Sequence, residues 1–502
     1  MTNISTCSRR NIYLENSTWF LTGMLMIYLF VAYNSSGYNN ADEHFQIVEF
    51  ANYKMGRTPE SDLAWEFNAK IRSGIQPAVC YILMRLASWF GCNDPYAFAF
   101  FLRAVTAVGS IFIIRFFIRS YIHEVEFKYR CIYVLSSYLI WFLPYINVRF
   151  SSESWSGLFI LLSLAIIKQD MRGKVKNLAY LLGLVSGVAI LFRYQSAILV
   201  FGLFLWFFFM SGRDVVFLLK TALVILAVLM IGFTIDYWLY GEFCFTLYNY
   251  FQVNLIQDVA SQYGILPWYE VIFYIIFSPG PIGIFLFAGL ILLVFKKFND
   301  PIFWAVIPFL VVHAIIPHKE LRFLFPLANL IPIVLVLSYQ QIARHTGVFK
   351  VVSLMVVVIL SIYNVAGIIC VALRPAGNGK IAVAQFIHRK YKNQKVILNC
   401  TEGINPYSDW AFPKDRFYAH ELVKVNEIAT IWQPRFYINT TERKSLLLIS
   451  NDDITGPRTL DLLREQHYVL VFQNVSNLVQ TLTLFYDREL NNKVLYLYEF
   501  KP

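Results

Sequence analysis

Apolar stretches alternate with short polar connections up to about residue 374, and these stretches have the composition of membrane helices. A spanning helix needs about 20 apolar residues, so the shorter stretches predict tilted or broken helices among about eleven crossings. The stretches are Trp19–Tyr33, Ala97–Ile118, Cys131–Asn147, Trp155–Ile167, Leu178–Phe192, Ser196–Met210, Val215–Thr234, Val271–Phe295, Ile302–Pro317, Phe323–Ser338 and Val351–Val371. Because bulky residues fill the end of the first stretch, we expect a retained helix there and not a cleaved signal peptide.

The pattern changes after Arg374 and Pro375, where charges become frequent and long apolar runs stop. Short apolar segments predict strands, and an amphipathic segment at Thr459–Gln466 predicts a helix. The predicted strands are Lys395–Asn399, Leu446–Ser450, Tyr468–Phe472 and Val494–Phe500. The chain is therefore predicted to have a multi-span membrane domain (1–374) and a small soluble α/β domain (375–502).

Basic residues cluster in alternate connections, which the positive-inside rule places in the cytoplasm. The clusters are Arg9 with Arg10, Arg119–Arg130, Lys168–Lys176, Arg213, Lys296 with Lys297, and Arg344–Lys350. The loop 34–74 and the C-terminal domain are then expected on the opposite, non-cytoplasmic side. Ile75–Phe90 is apolar enough to insert, but a crossing there would invert every later loop. We therefore predict a re-entrant or interfacial segment.

The composition agrees with a membrane protein, since 57% of the residues are hydrophobic and 15% are charged, with a mean hydropathy of +0.53. Soluble domains carry about 25% charged residues. The net charge of +11 would suggest nucleic acid in a soluble protein, but here the cations lie in short loops and indicate membrane topology. The 7 cysteines form no C-x-x-C pair and the 8 histidines show no ligand spacing. We expect no disulfide framework and no metal site.

Two adjacent carboxylates, Asp42 and Glu43, lie in the outer loop just beyond a membrane helix. A carboxylate there can act as a general base toward a hydroxyl. The alternative is helix capping by Asn40 or Asp42, with the apolar residues of Phe45–Phe50 facing the membrane surface. Trp65 and Arg72 in the same loop suit a sugar-binding shelf or an interfacial anchor.

The segment from His318 to Phe323 fills a very short gap between two apolar stretches with charged residues. Lys319 and Arg322 are one helical turn apart and can bind a phosphate whose lipid tail stays in the bilayer, with Glu320 orienting them. The alternative is a solvated turn. Arg149 and Arg193 are further polar residues at the outer ends of apolar stretches.

These segments together resemble glycosyltransferase family 22. Asp42 and Glu43 with the following His-Phe-Gln match its first-loop signature, and residues 318–323 are similar to its His-Lys-Glu-x-Arg-Phe motif. Looser similarities follow in the family's order at 149–153, 193–198, Asp236 with Tyr240-Gly241, Asn249 with Asn254, and Tyr263-Gly264 with Pro267-Trp268. The resemblance covers roughly residues 17–375. Ala41, Tyr194 and Gln195 depart from the family pattern, which bears on the acceptor more than on the chemistry.

The resemblance implies a polytopic α-helical membrane protein of the GT-C type. It implies a mannosyltransferase that moves a sugar, with inversion, from a polyprenyl- or dolichol-phosphate donor to a lipid-linked glycan acceptor, without a cofactor. Asp42 would be the base and Glu43 a supporting carboxylate or the alternate base, while His318, Lys319 and Arg322 would hold the donor phosphate. The branch that adds the third mannose in GPI assembly looks nearest, and bacterial relatives are also similar. The location would be the ER membrane in a eukaryote or the inner membrane in a bacterium.

Other functions fit the same hydropathy pattern. A lipid or sugar transporter or flippase is also polytopic and basic, although such proteins usually contain paired repeats and no convincing internal repeat is visible. An assembly subunit would need no acidic loop. An oligosaccharide ligase of related fold would move a larger glycan.

Overall fold

The computed structural model describes residue 14 and residues 17–343, 348–408, 414–429, 443–454, 457–483, 486 and 494–501. Predictions about Arg9, Arg10 and residues 344–347 lie outside these ranges. The helices are α1 Thr18–Asn34, α2 Ala41–Phe45, α3 Val48–Lys54, α4 Trp65–Ala69, α5 Ile75–Trp89, α6 Pro95–Tyr121, α7 Arg130–Leu139, α8 Leu143–Ile146, α9 Ser152–Asp170, α10 Leu178–Phe192, α11 Ser196–Phe209, α12 Val215–Tyr240, α13 Thr246–Phe251, α14 Glu270–Phe277, α15 Pro281–Lys296, α16 Pro301–Ile315, α17 Ile331–Ile342, α18 Val348–Ala372, α19 Lys380–Lys390, α20 Pro457–Glu465 and α21 Asn477–Thr483.

The predicted multi-span character is confirmed. In the described ranges, 4 helical segments are long and apolar enough to cross a membrane: Pro95–Glu124, Val215–Tyr240, Leu321–Ile342 and Leu354–Ala372. Shorter apolar helices accompany them at α1, α10, α11, α15 and α16. The outward-facing residues of α12, such as Leu223 and Met230, are more than half exposed, as a lipid-facing helix requires.

Two of the predicted apolar stretches are broken helices. The stretch Val271–Phe295 divides into α14 and α15 at Pro279 and Gly280, where Gly280 has a φ of +66°. The stretch Cys131–Asn147 divides into α7 and α8 because Ile140 is extended and Pro144 begins a new turn. Proline lacks an amide hydrogen and disfavours helical backbone before it, so both breaks follow from local sequence.

The segment 75–90 forms helix α5, whose exposed apolar side chains include Ile82, Leu86, Trp89 and Phe90. Its 15 residues rise about 22 Å, which is less than a bilayer core requires. An amphipathic helix ending in two exposed aromatic rings suits a membrane interface. The interfacial placement of this segment stays a prediction.

The C-terminal residues form a small α/β domain, as predicted. Its five strands are β1 Val396–Thr401, β2 Val423–Ile428, β3 Lys444–Ser450, β4 Tyr468–Gln473 and β5 Leu495–Phe500, in the order β2-β1-β3-β5-β4. Strands β2, β1 and β3 are parallel, and β5 pairs antiparallel with β3 and β4. The core lies between the sheet and α19, with Val383, Leu398 and Leu497 fully buried.

The chain forms two compact units. The first unit comprises residues 1–29, 66–78 and 104–368, and the second comprises 30–65, 79–103 and 369–502. The predicted boundary at residue 374 does not coincide with this division, because residues 30–65 of the outer loop pack with the C-terminal domain. Ala376 N–H, for example, donates to Ser36 O at 3.0 Å.

Candidate active site

A buried carboxylate, Glu153, connects two signature segments in the first unit. It lies in the first turn of α9, which Ser151 caps by accepting the N–H of Ser154. Glu153 Oε1 accepts a hydrogen bond from Arg193 Nη1 at 2.7 Å and one from Arg322 Nη1 at 3.4 Å. Arg193 ends α10 and is 6% exposed. Glu153 was not among the site residues predicted from the sequence, although it is the last residue of the weak motif at 149–153.

The predicted segment 318–323 joins the same cluster. Glu320 forms a bidentate pair with Arg322, with distances of 2.6 Å to Nε and 2.9 Å to Nη2. His318 Nε2 donates to Glu320 Oε1 at 3.0 Å, and His318 Nδ1 lies 3.0 Å from the carbonyl of Gly264. Both ring nitrogens thus face acceptors, so the doubly protonated imidazolium satisfies both.

The pKa directions agree with that state. The hydrogen bond to Glu320 raises the pKa of His318 above its usual value. Burial alone would raise the pKa of Glu320, but the hydrogen bonds from His318 and Arg322 outweigh it and hold that pKa well below its usual range. We call His318, Glu320, Arg322, Glu153 and Arg193 the arginine–carboxylate cluster. With His318 protonated it carries one positive charge in excess.

Lys319 has a different environment from the one that the sequence suggested. Its Nζ donates to the carbonyls of Leu266, at 2.9 Å, Ile316 and Pro317, and the residue is 5% exposed. An ammonium group has three N–H donors, and these three carbonyls use all of them. Lys319 therefore holds the turn that carries His318 and Arg322, and its predicted contact with a phosphate stays a prediction.

Arg149 is buried, 1% exposed, with its guanidinium 5.4 Å from the centre of the Tyr145 ring. It lies in the turn that leads into α9, four positions before Glu153. A buried arginine is costly unless it is paired and hydrogen-bonded. Its place in the reaction stays a prediction.

Other signature residues of the first unit hold the end of the outer loop. The Asp236 carboxylate accepts Gly74 N–H at 2.6 Å and the Thr246 hydroxyl at 2.5 Å. The Tyr240 hydroxyl donates to Arg72 O at 2.7 Å. The Arg72 side chain lies 3.7 Å from Glu66 and stacks over Tyr250 at 6.0 Å. These contacts make Arg72 part of a loop anchor.

The acidic pair belongs to the second unit, and the capping alternative is confirmed for Asn40. The Asn40 side chain accepts Asp42 N–H at 3.1 Å and thereby caps α2. Glu43 Oε2 accepts the N–H of Asn39, the residue before the cap, at 3.0 Å, which ties α2 to the preceding backbone. The expectation that the neighbouring apolar residues face the membrane surface is wrong, because Phe45 and Phe50 are fully buried in protein.

Asp42 and Glu43 are both half-buried, and α2 fixes their direction. Glu43 is held through its carboxylate, which accepts Asn39 N–H, and the backbone N–H of Asp42 donates to the Asn40 side chain. Trp65, the first residue of α4, is also half-buried and belongs to this unit. The roles of Asp42, Glu43 and Trp65 stay predictions.

A second charged cluster, which was not predicted from the sequence, lies in the core of the second unit. His44 Nε2 lies 3.1 Å from Asp415 Oδ1 and 3.6 Å from Glu49 Oε1. Burial alone would lower the pKa of His44, but Asp415 and Glu49 outweigh burial and raise it to about 10. No local signal links residue 415 with the first loop, since hundreds of residues separate them. His44 and Glu49 could only be noticed as polar residues in an apolar segment.

Comparison with known proteins places these features in a family. The chain matches the Alg9-like mannosyltransferase family over residues 19–408. GPI mannosyltransferase 3 of Debaryomyces hansenii is 23% identical over 320 residues, which are 60% of this chain and 55% of that protein. GPI mannosyltransferase 3 of Candida albicans is 22% identical over 329 residues, which are 64% of each. The chain thus matches less than two thirds of the length of these relatives.

A solved structure supports the fold. ArnT from Cupriavidus metallidurans in the apo state superposes with a TM-score of 0.50 at 10% identity, covering 96% of this chain and 98% of that one. The predicted GT-C fold, with its helical membrane part and small C-terminal sheet domain, is confirmed. Since the family match extends over most of the chain and the signature segments follow the family's order, the chain belongs to the Alg9-like mannosyltransferase family.

Proposed function

We propose that this protein transfers mannose from a polyprenyl-phosphate donor to a lipid-linked glycan. The preferred reaction would add the third mannose to a GPI-type precursor. The family match carries the proposal. The two relatives described above, both named GPI mannosyltransferase 3, support the choice of acceptor. In a eukaryotic cell, the reaction would take place at the ER membrane.

The arginine–carboxylate cluster supports a phosphate-linked donor. Its excess positive charge lies at the ends of apolar helices, where a lipid-bound phosphate can reach it while its tail stays in the bilayer. As the bond between the sugar C1 and the phosphate oxygen breaks, negative charge grows on the phosphate, and Arg322 and His318 stabilise it. Lys319 keeps these two side chains in position through its three carbonyl contacts.

Asp42 supplies the base in this proposal. Its carboxylate takes the proton of the acceptor hydroxyl as that oxygen forms a bond to C1 on the face opposite the leaving phosphate, so the configuration inverts. Glu43, whose carboxylate accepts Asn39 N–H, fixes the direction of Asp42. In this proposal, Arg149 and Arg193 support the arginine–carboxylate cluster, and Trp65 and Arg72 support the outer loop.

Transfer by the purified protein tests the proposal. The protein in detergent receives polyprenyl-phosphate [³H]mannose and a GPI-type glycolipid, with polyprenyl-phosphate glucose as the matched donor control. Transfer of label to the glycolipid from the mannose donor alone is expected. Movement of an intact glycan would indicate a ligase. With the protein in liposomes, transbilayer movement of the glycolipid without a new bond would indicate a flippase.

The same proposal places residues 375–502 on the non-cytoplasmic side, beside the membrane face that bears the chemistry. Glu402 is exposed and suits a cysteine probe in a Cys92→Ser background, because Cys92 is the exposed native thiol in the described ranges. In sealed microsomes, E402C should resist an impermeant thiol reagent until detergent is added. Labelling of the intact microsomes would place the domain in the cytoplasm.

A further inference from the structure

Three side chains with metal-binding groups meet in the core of the second unit: His44, Glu49 and Asp415. Their ligand atoms all lie within 4.8 Å of one another, and all three side chains are buried. The proposed transfer reaction does not use them. We propose that they bind a divalent metal ion, with Zn²⁺ as the ion best suited to one imidazole and two carboxylates.

The charges of the cluster favour a cation. Two buried carboxylates face one imidazole, so with both carboxylates ionised even a protonated His44 leaves one negative charge unbalanced. Burial accordingly raises the pKa of Asp415. Arg416, the next residue after Asp415, does not supply the missing charge to the cluster, because its Nε pairs with Asp62 at 2.5 Å. Buried charges in proteins are paired or coordinate metals. A divalent ion that replaces the proton on His44 would balance both carboxylates.

Unsatisfied polar atoms form the second, independent observation. Within the described residues, Asp415 Oδ2 and His44 Nε2 are buried without a hydrogen-bond partner, and Asp415 is 2% exposed. The contacts of His44 Nε2 with the carboxylates are short but lack hydrogen-bond geometry. The hydroxyls of Tyr96 and Tyr407 are likewise buried and unsatisfied. Such atoms are few in native proteins, and an ion or water accounts for several at once.

The surroundings already hold the three ligands in place. Glu49 Oε1 accepts the N–H groups of Arg416 and Phe417, each at 2.7 Å, and Oε2 accepts the Thr58 hydroxyl at 2.5 Å. The His44 ring is stacked between Tyr38 and Tyr418, with centroid distances of 4.9 and 5.2 Å. Hydrogen bonds to ligating carboxylates and a fixed imidazole are characteristic of protein metal sites. The ion would fasten the outer loop to the C-terminal domain.

Metal content of the full-length purified protein tests the proposal. After chelator treatment and reloading with Zn²⁺, the wild type should retain about one ion per chain by plasma mass spectrometry. D415N and H44Q should retain at least tenfold less. H388Q is the matched control, because the His388 imidazole pairs with Asp94, at 3.1 Å, outside the cluster, and its loss should leave the metal content unchanged.

Thermal stability gives a second readout. Zn²⁺ should raise the Tm of the chelator-treated wild type and of H388Q, and should leave the Tm of D415N and H44Q unchanged. If either variant does not elute as a monodisperse peak, E49Q replaces it. A wild type that retains no more than a tenth of an ion per chain and gains no Tm from Zn²⁺, Mn²⁺ or Fe²⁺ overturns the proposal.

Discussion

The two charged clusters of this protein differ in sign and in access. The arginine–carboxylate cluster of the first unit has positive charge in excess, and Glu320 and His318 keep 29% and 14% of their side chains exposed. The cluster of His44, Glu49 and Asp415 in the second unit has negative charge in excess and is sealed from solvent. An open positive cluster suits an anion that enters and leaves, whereas a closed negative cluster suits a cation that stays. The charges thus agree with the two proposals, a donor-binding site in the first unit and a structural metal site in the second.

The largest expected effect concerns Asp42, which belongs to neither cluster. D42N keeps the size of Asp42 and removes its basicity, so the transfer rate should fall about 10²–10⁴-fold with unchanged protein yield. E43Q tests the supporting carboxylate in the same assay and should lower the rate less, because a glutamine oxygen can still accept Asn39 N–H. Radiolabel transfer at saturating donor measures both. Near-normal turnover in D42N would remove the base from this position.

Removal of the shared carboxylate in the first unit should destabilise the protein. E153Q leaves the buried Arg193 without its ion-pair partner, whereas Arg322 keeps its pair with Glu320; the expected cost is about 3–5 kcal/mol, seen as a lower Tm in detergent. E126Q is the control, since Glu126 pairs with Lys128, which is 59% exposed, and such pairs contribute about 0–1 kcal/mol. Equal Tm values for the two variants would show that the cluster does not depend on Glu153.

Weakening the positive excess should weaken donor binding in addition to slowing the transfer. R322Q removes a charge-assisted contact to the phosphate, so donor binding should weaken by about 1.5–3 kcal/mol. The donor Kd should therefore rise roughly 10–150-fold. R213Q neutralises an exposed arginine that pairs with Asp170 and should leave the Kd unchanged. Titration of the protein with a polyprenyl-phosphate donor distinguishes the variants. An unaltered Kd in R322Q would move the phosphate elsewhere.

The smallest expected effect is a pH dependence of the open cluster. Glu320 raises the pKa of His318, so the contribution of their pair to stability is complete below His318's unperturbed pKa of about 6.5. It declines as the pH rises through the raised pKa in the folded protein. The Tm of the wild type should therefore fall over that range more than the Tm of H318Q. Parallel Tm curves for the two proteins would show that His318 carries no charge there.

Local sequence predicted much of the fold. The apolar stretch Leu178–Phe192 coincides with α10, and the strand predicted at Leu446–Ser450 lies within β3. Strand β2 (Val423–Ile428) was missed because it has alternating polar residues and lies at the edge of the sheet, where burial does not require an apolar run. Helix α21 was missed because its seven residues give too short a periodic signal.

The motif at 318–323 was recognised from sequence, but its internal geometry was not. Sequence spacing placed Lys319 and Arg322 on one helical turn, as equivalent phosphate ligands. Residues 318–320 form neither helix nor strand, Glu320 is extended and the next residues form a 3₁₀-helix, so Lys319 turns to backbone carbonyls while Arg322 turns to Glu320 and Glu153. Helical spacing does not apply to backbone of that shape.

The sequence by itself determined that this protein is a polytopic membrane protein of its family, because apolar length and the order of motifs are properties of neighbouring residues. Tertiary structure decided that Glu153 is shared by Arg193 and Arg322, which lie 40 and 169 positions away. It also decided that His44 and Glu49 meet Asp415. Such contacts depend on how helices and loops pack, and burial then sets their strength, since charges removed from water must find partners.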